Sequence, residues 1–317
     1  MANLAAIRKR IASVTSTRQI TSTMEMVART KIFKAQGRVE RAEPYAKAMR
    51  ALLSNLADKY AESVPLATPH DEIRRSLVIL IGSDRGLAGH FNQDIIRRGE
   101  SLITSLRAEG KEVDLILCGK VLINYFTYRN EKPVLAFRDL SEKPHVDESN
   151  TIAEYLVHQY LDNKIDEVFA LYNHHRKHSV EQIPVQWRLM PIDMSIFDTQ
   201  RVQIGRQGIS ERDPRLKNLE GPINYEPSRE FVLERLLPEY LSGYLYYMLI
   251  NSAAGEQVSR RAAMKNATDN ADEILHDLHL LYNHVRQDAI TTEINEIVGG
   301  AEGLSDSDSK RSSRGMF

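Results

Sequence analysis

A single cysteine, Cys118, stands in 317 residues, which excludes an internal disulfide and any structural zinc site built on several thiolates. It follows the apolar run 113–117 and reads as a buried strand-end thiol rather than a nucleophile. Strong net charge is missing as well. The formal balance is −1, so no whole-protein attraction to nucleic acid or to an anionic lipid surface is expected. No apolar run approaches the roughly eighteen residues that would span a bilayer, and the opening MANLAAIRKRIA has neither the apolar core nor the cleavage site of a secretory signal. With 42% apolar and 27% charged residues, the chain reads as soluble and folded, long enough for one compact domain plus an extended element.

Proline is absent from 239–298, a stretch closed by Gly299 and Gly300, so this segment reads as one long helix that stops at the glycine pair. Its apolar residues step by three and four through Met264, Ala267, Ala271, Ile274, Leu278, Leu281 and Val285, the seam of a coiled coil. At 1.5 Å per residue such a helix extends about 90 Å and needs an equally long partner. The other chain end supplies one. Leu4, Ile7, Ile11 and Val14, then Ile32, Ala35, Val39, Ala42, Ala46, Met49, Leu53, Leu56 and Tyr60 repeat the same spacing. Charge favours that pairing: residues 1–50 hold eleven Lys/Arg against three Asp/Glu, whereas 256–298 hold four against eight. Residues 13–23 are rich in Ser and Thr, poor helix formers, and are expected to need support from the other arm or from a partner.

Between the arms the period changes. The run 76–81 is a buried strand, followed by a glycine-bearing turn and a helix over 91–109. Strands at 113–118, 134–137, 167–172 and 182–190 alternate with helices at 120–128 and 148–161, the pattern of a mostly parallel sheet. The expected fold is therefore α/β: a long antiparallel two-helix coiled coil formed by residues 1–62 and 230–300, with a Rossmann-like α/β domain inserted at 74–192. An irregular return connection is expected over 193–229, and a disordered tail over 301–317.

Little in the chain carries chemistry. Gly82, Gly86 and Gly89 match neither GxGxxG nor the phosphate loop that ends in Gly-Lys-Ser/Thr, so the turn reads as structural packing rather than a nucleotide cradle. His174, His175 and His178 have Arg176 and Lys177 between them, and His276 with His279 lacks a placed third ligand, so no metal site is expected. There is no GxSxG elbow. The basic N-terminal arm has almost no interleaved aromatics, so a solvated or protein-facing surface is expected and no nucleic-acid partner. A nucleotide-binding α/β enzyme with a coiled-coil dimerisation arm, and a coiled-coil nucleic-acid binder, remain the competing readings.

Three sets of motifs carry a resemblance. Near the start stand Ile7-Arg-x-Arg-Ile11-x-Ser-Val14, Thr17-x-Gln-Ile-Thr21, Met24-Glu-Met-Val-Ala28 and Lys31-x-x-Lys-Ala-Gln36. In the middle is Gly82-Ser-Asp-Arg-Gly-Leu-x-Gly89 with Phe91-Asn92. Near the end come Arg261-Ala-Ala-Met-Lys-Asn-Ala-Thr-Asp-Asn-Ala271, Leu281-Tyr-Asn283, Arg286-Gln287, Ile290-Thr291-x-Glu293-Ile294 and Glu296-Ile-Val-Gly-Gly300. Together they resemble the gamma subunit of bacterial F-type rotary ATP synthases over nearly the whole chain. The chain departs from the family at Ala88, where cysteine is usual, at His90 and at Gly255, and its tail beyond Leu304 is longer.

The resemblance implies a non-catalytic rotor shaft of a proton-translocating complex, with no cofactor and no metal of its own. It would turn inside a ring of alpha and beta subunits and be carried by the epsilon subunit and the membrane c-ring, peripheral to the cytoplasmic face of the cell membrane. By the same matching, Arg286, Gln287 and Thr291, with Arg260, Glu256 and Met24, are the expected contacts to the alpha/beta ring.

Overall fold

The computed structural model describes residues 2–60, 64–140, 142–175, 182–197 and 226–312. The chain runs α1 (Ala2–Tyr60), β1 (Arg75–Ile81), α2 (Phe91–Ala108), β2 (Glu112–Cys118), α3 (Lys120–Tyr128), β3 (Leu135–Phe137), α4 (Val146–Leu161), β4 (Glu167–His175), β5 (Gln182–Met190), a short 3-10 turn (Met194–Phe197) and α5 (Arg229–Ser312). It divides into two compact units, one of Met1–Met26 with Met264–Phe317, the other of Val27–Ala263.

The larger unit is built on a five-stranded sheet in the order β3-β2-β1-β4-β5, parallel except for the antiparallel β4/β5 pair. The unbroken apolar run of β1 follows from its central place, because both its faces are covered. Leu77, Ile79 and Ile81 enter one core with Ile152 and Leu156 of α4, Met49, Leu53 and Leu56 of α1, and Leu237, Leu241 and Leu245 of α5. Val78 and Leu80 point the other way, into a core with Ile95 and Ile103 of α2 and Leu122 and Phe126 of α3. Cys118 is buried, and burial, reinforced by Asp84 and Glu148, pushes its thiol up to about 12, so it is inert as a nucleophile.

In the smaller unit α1 and α5 run in opposite directions. Arg8 donates to the Tyr282 hydroxyl at 2.9 Å, Arg18 pairs with Asp272, and Thr268 bonds Thr21 through its hydroxyl at 2.8 Å. Residues rise along one helix as they fall along the other. The Ser/Thr-rich stretch is helical: Thr15, Thr17 and Thr23 bond the carbonyls one turn back, and Thr21 faces the other helix, the support its weak propensity requires.

Three expectations are corrected. On α5 the seam follows Met264, Thr268, Ala271, Leu275, Leu278, Tyr282 and Val285, all buried or half-buried, while Ile274 and Leu281 are exposed. Two of the residues that take the seam positions, Thr268 and Tyr282, bond across to Thr21 and Arg8. The helix also does not stop at Gly299-Gly300, and residues 301–312, expected to be disordered, are helical. Two glycines cost only about 1 kcal/mol each relative to alanine, and the helix continues through both. Pro238 lies inside α5, and the helix starts before it at Arg229. A proline there costs about 3 kcal/mol, and the fully buried Leu233, Leu237 and Leu241 hold the helix on either side. The expected return connection falls largely on residues 198–225, and the last tail residues on 313–317, both outside the described residues.

Candidate functional site

Two surfaces bear on function: the glycine turn after β1, and the exposed part of α5. The turn is closed on itself. The Ser83 amide donates to Asn92 Oδ1 at 3.0 Å, Asn92 Nδ2 donates to Ser83 Oγ at 2.7 Å, and Ser83 Oγ donates to the Arg85 carbonyl at 2.8 Å. Asp84 Oδ1 accepts the amides of Lys120 at 2.9 Å and Asp139 at 3.0 Å. The Lys120 amide belongs to the first turn of α3, so the Asp84 carboxylate caps that helix and ties it to the turn. Glycine at 82 and 119 is required by contact. A Cβ at Gly82 would lie 2.7 Å from Leu122 Cδ1, and one at Gly119, whose φ is +107°, would lie 2.8 Å from the Gly82 carbonyl carbon. These glycines bring two backbones together and leave no cradle between them.

Arg260 and Glu256, expected as contacts to a surrounding ring, are bonded within the chain. Glu256 is 1% exposed and Arg260 9%, and they form an ion pair at 2.6 Å one helical turn apart. The Arg260 guanidinium reaches the carbonyls of Arg85 and Gly86 at 3.3 and 3.2 Å. A buried pair of this kind fixes α5 against the turn, and motif matching on an isolated helix gave no sign that the partner lay in the same chain. Sequence reasoning also missed Glu142, which meets Lys31 at 2.7 Å and Arg85 at 3.2 Å. Its partners lie more than fifty residues away, beyond any spacing rule.

Arg286, Gln287 and Thr291 share an exposed stretch of α5, with Thr291 Oγ1 bonded to the Gln287 carbonyl at 2.9 Å, and Met24 on α1 is half-buried. Arg8, hydrogen-bonded to Tyr282, holds that phenol below its ordinary range, and Arg286 adds to the effect. Beyond these, Ile290, Ile294, Ile297 and Val298 are all exposed, Ile297 to 72%. His276 and His279 are exposed, and among the described residues no three His, Cys, Asp or Glu side chains cluster as metal ligands. No helix among them is long and apolar enough to cross a membrane.

A chain in the structure of the Euglena gracilis mitochondrial ATP synthase (OSCP/F1/c-ring, rotational state 3) superposes with a TM-score of 0.65 at 17% identity, over 97% of this chain and 96% of that one. A chain of the Tetrahymena thermophila mitochondrial ATP synthase central stalk/c-ring gives 0.55 at 22% identity, over 78% and 99%. The class so defined is an α/β domain inserted between two long terminal helices. The family profile described as ATP synthase matches residues 3–304. The ATP synthase gamma chain of Kineococcus radiotolerans is 37% identical over 97% of this chain and 98% of its own length, and that of Cutibacterium acnes 36% over 96% and 98%. The chain belongs to the ATP synthase gamma chain family.

Proposed function

We propose that this protein is the central-stalk rotor of an F-type, proton-translocating ATP synthase. It transmits rotation between the membrane c-ring and the catalytic ring of alpha and beta subunits and has no catalytic site of its own. Its terminal helices, residues 1–62 and 230–300, form an antiparallel coiled coil that acts as the shaft, and the inserted domain, residues 74–192, carries the contacts to the epsilon subunit and the c-ring. The complex sits peripherally on the cytoplasmic face of the cell membrane.

The observation that carries this reading is the register of α1 on α5 in the smaller unit, Arg8 with Tyr282, Arg18 with Asp272 and Thr21 with Thr268. Two helices locked by a shared seam resist twisting far better than one. The turn after β1, closed by the Ser83 and Asn92 bonds and by the contact of Gly82 with Gly119, argues against the nucleotide-binding enzyme. Arg286, Gln287, Thr291 and Met24 supply the catch on the alpha/beta ring, while Arg260 and Glu256 act within the chain by holding the turn. The apolar residues from Ile290 to Val298 suit an end that turns in an apolar collar.

The test is the double substitution Arg286→Ala with Gln287→Ala, assembled with alpha and beta subunits. Coupled turnover is expected to fall while the isolated chain keeps its helicity. Unchanged rates of ATP synthesis and hydrolysis in the assembled double mutant would remove the catch.

A further inference from the structure

We infer that Glu142 is a positioning residue that clasps α1, α5 and the turn after β1 together at the carboxyl end of the sheet, so that the α/β domain grips both shaft helices against twisting. The inference rests on the rotor reading.

The loop after β3 and the turn after β1 both leave the carboxyl ends of parallel strands, and Asp84 already ties them through the Asp139 amide. From this loop the Glu142 carboxylate lies 2.7 Å from Lys31 Nζ of α1 and 3.2 Å from Arg85 Nη1 in the turn. Its backbone carbonyl accepts from Arg38 Nη1 at 2.8 Å, two helical turns further along α1. The carbonyl of that same Arg85 accepts from Arg260 of α5, which Glu256 holds in turn. One continuous polar path thus joins the two helices through the domain. The Lys31 hydrogen bond, with Arg85 and Arg260 nearby, keeps the Glu142 carboxyl below its usual range against the opposing effect of burial.

Position along the helices gives the path its purpose. Lys31 lies roughly thirty residues before the end of α1, and Arg260 as many after the start of α5, so each helix is held about 45 Å from its junction with the domain's chain. The core contacts of Met49, Leu53 and Leu56 on α1 and of Leu237, Leu241 and Leu245 on α5 lie nearer that junction, and the clasp adds an attachment beyond them that limits twist further along each helix. Lys31, Glu142 and Arg85 are partly exposed, with side chains at 36%, 43% and 72%. Pairs so exposed add little to stability, so their loss alters mechanics more than folding.

The experiment uses the whole complex in sealed vesicles, measuring ATP hydrolysis and ion uptake together, with amide exchange followed in the loop. In Glu142→Gln, exchange of the Asp139 amide is expected to rise about fivefold and ion uptake per ATP to fall about twofold or more, with hydrolysis and melting temperature close to those of the parent. Lys31→Gln should reproduce this, the double variant should be no worse than either single one, and Glu142→Asp should restore coupling. If Glu142→Gln fails to assemble, Lys31→Gln decides the question alone. Parental uptake per ATP in the assembled Gln variant overturns the clasp and leaves the rotor intact. Should the parent chain itself support no coupled uptake, the rotor reading fails first.

Discussion

Residues 249–258 and 286–298 belong to one helix, yet every residue of the first stretch is buried and every residue of the second is exposed except the half-buried Ala289. In the first, helix stability comes from packing on a sheet and on another helix. Among the described residues, the cross-helix bonds from α1 reach α5 as far as Tyr282, and the second stretch lies beyond it. One element therefore serves as a core strut over part of its length and as an outward-facing surface over another. Ile290, Ile294, Ile297 and Val298 are the exposed apolar side chains of this stretch, and the rotor reading assigns them to a surrounding partner.

This contrast can be broken by substitution. Leu245→Ala, at a site 1% exposed, should cost the isolated chain about 2–5 kcal/mol, read by denaturant unfolding. Glu256→Gln should cost about 3 kcal/mol, since it strands the Arg260 charge in a buried site. An equally large loss from Arg286→Ala would erase the distinction between the two stretches.

Acid sharpens the comparison on the buried side. Asp166 loses some acidity to burial, but hydrogen bonds from His70 and from the amides of Arg75 and Arg74 outweigh that and lower its pKa. A carboxyl more acidic folded than unfolded contributes fully above the unfolded range, and the contribution fades as pH falls below about 4. Stability of the larger unit should therefore drop through that window, and Asp166→Asn should flatten the drop. The smallest effect is expected at Ile297→Ser, within about 0.5 kcal/mol on the isolated chain, although turnover of the assembled complex should fall.

Much of the fold could be read from local pattern. The run 76–81 announced a strand buried on both faces, and the alternation that followed located each later strand and helix to within a few residues. Helix pairing was legible because apolar residues repeat every three or four positions over both arms. The choice between Ile274 and Leu275, or Leu281 and Tyr282, was not legible, since hydrophobicity favours the wrong member of the second pair and is nearly even in the first. It was settled by cross-helix bonds to Thr21 and Arg8. The intrachain bonds of Arg260 and Glu256 were not legible for a related reason: a charged pair on a helix face reads alike whether it meets another subunit or a turn of its own chain. Asp84 and Glu142 gave no local signal, because their partners come from distant segments.

The central claim, that this chain turns while the catalytic ring stays still, can be watched directly. Tyr128 is 89% exposed on α3, and the sole native thiol, Cys118, is buried, so Tyr128→Cys accepts a rotation probe selectively. With the alpha/beta ring immobilised and ATP supplied, the probe should revolve in one direction. Steady ATP hydrolysis beneath a motionless probe would contradict the account.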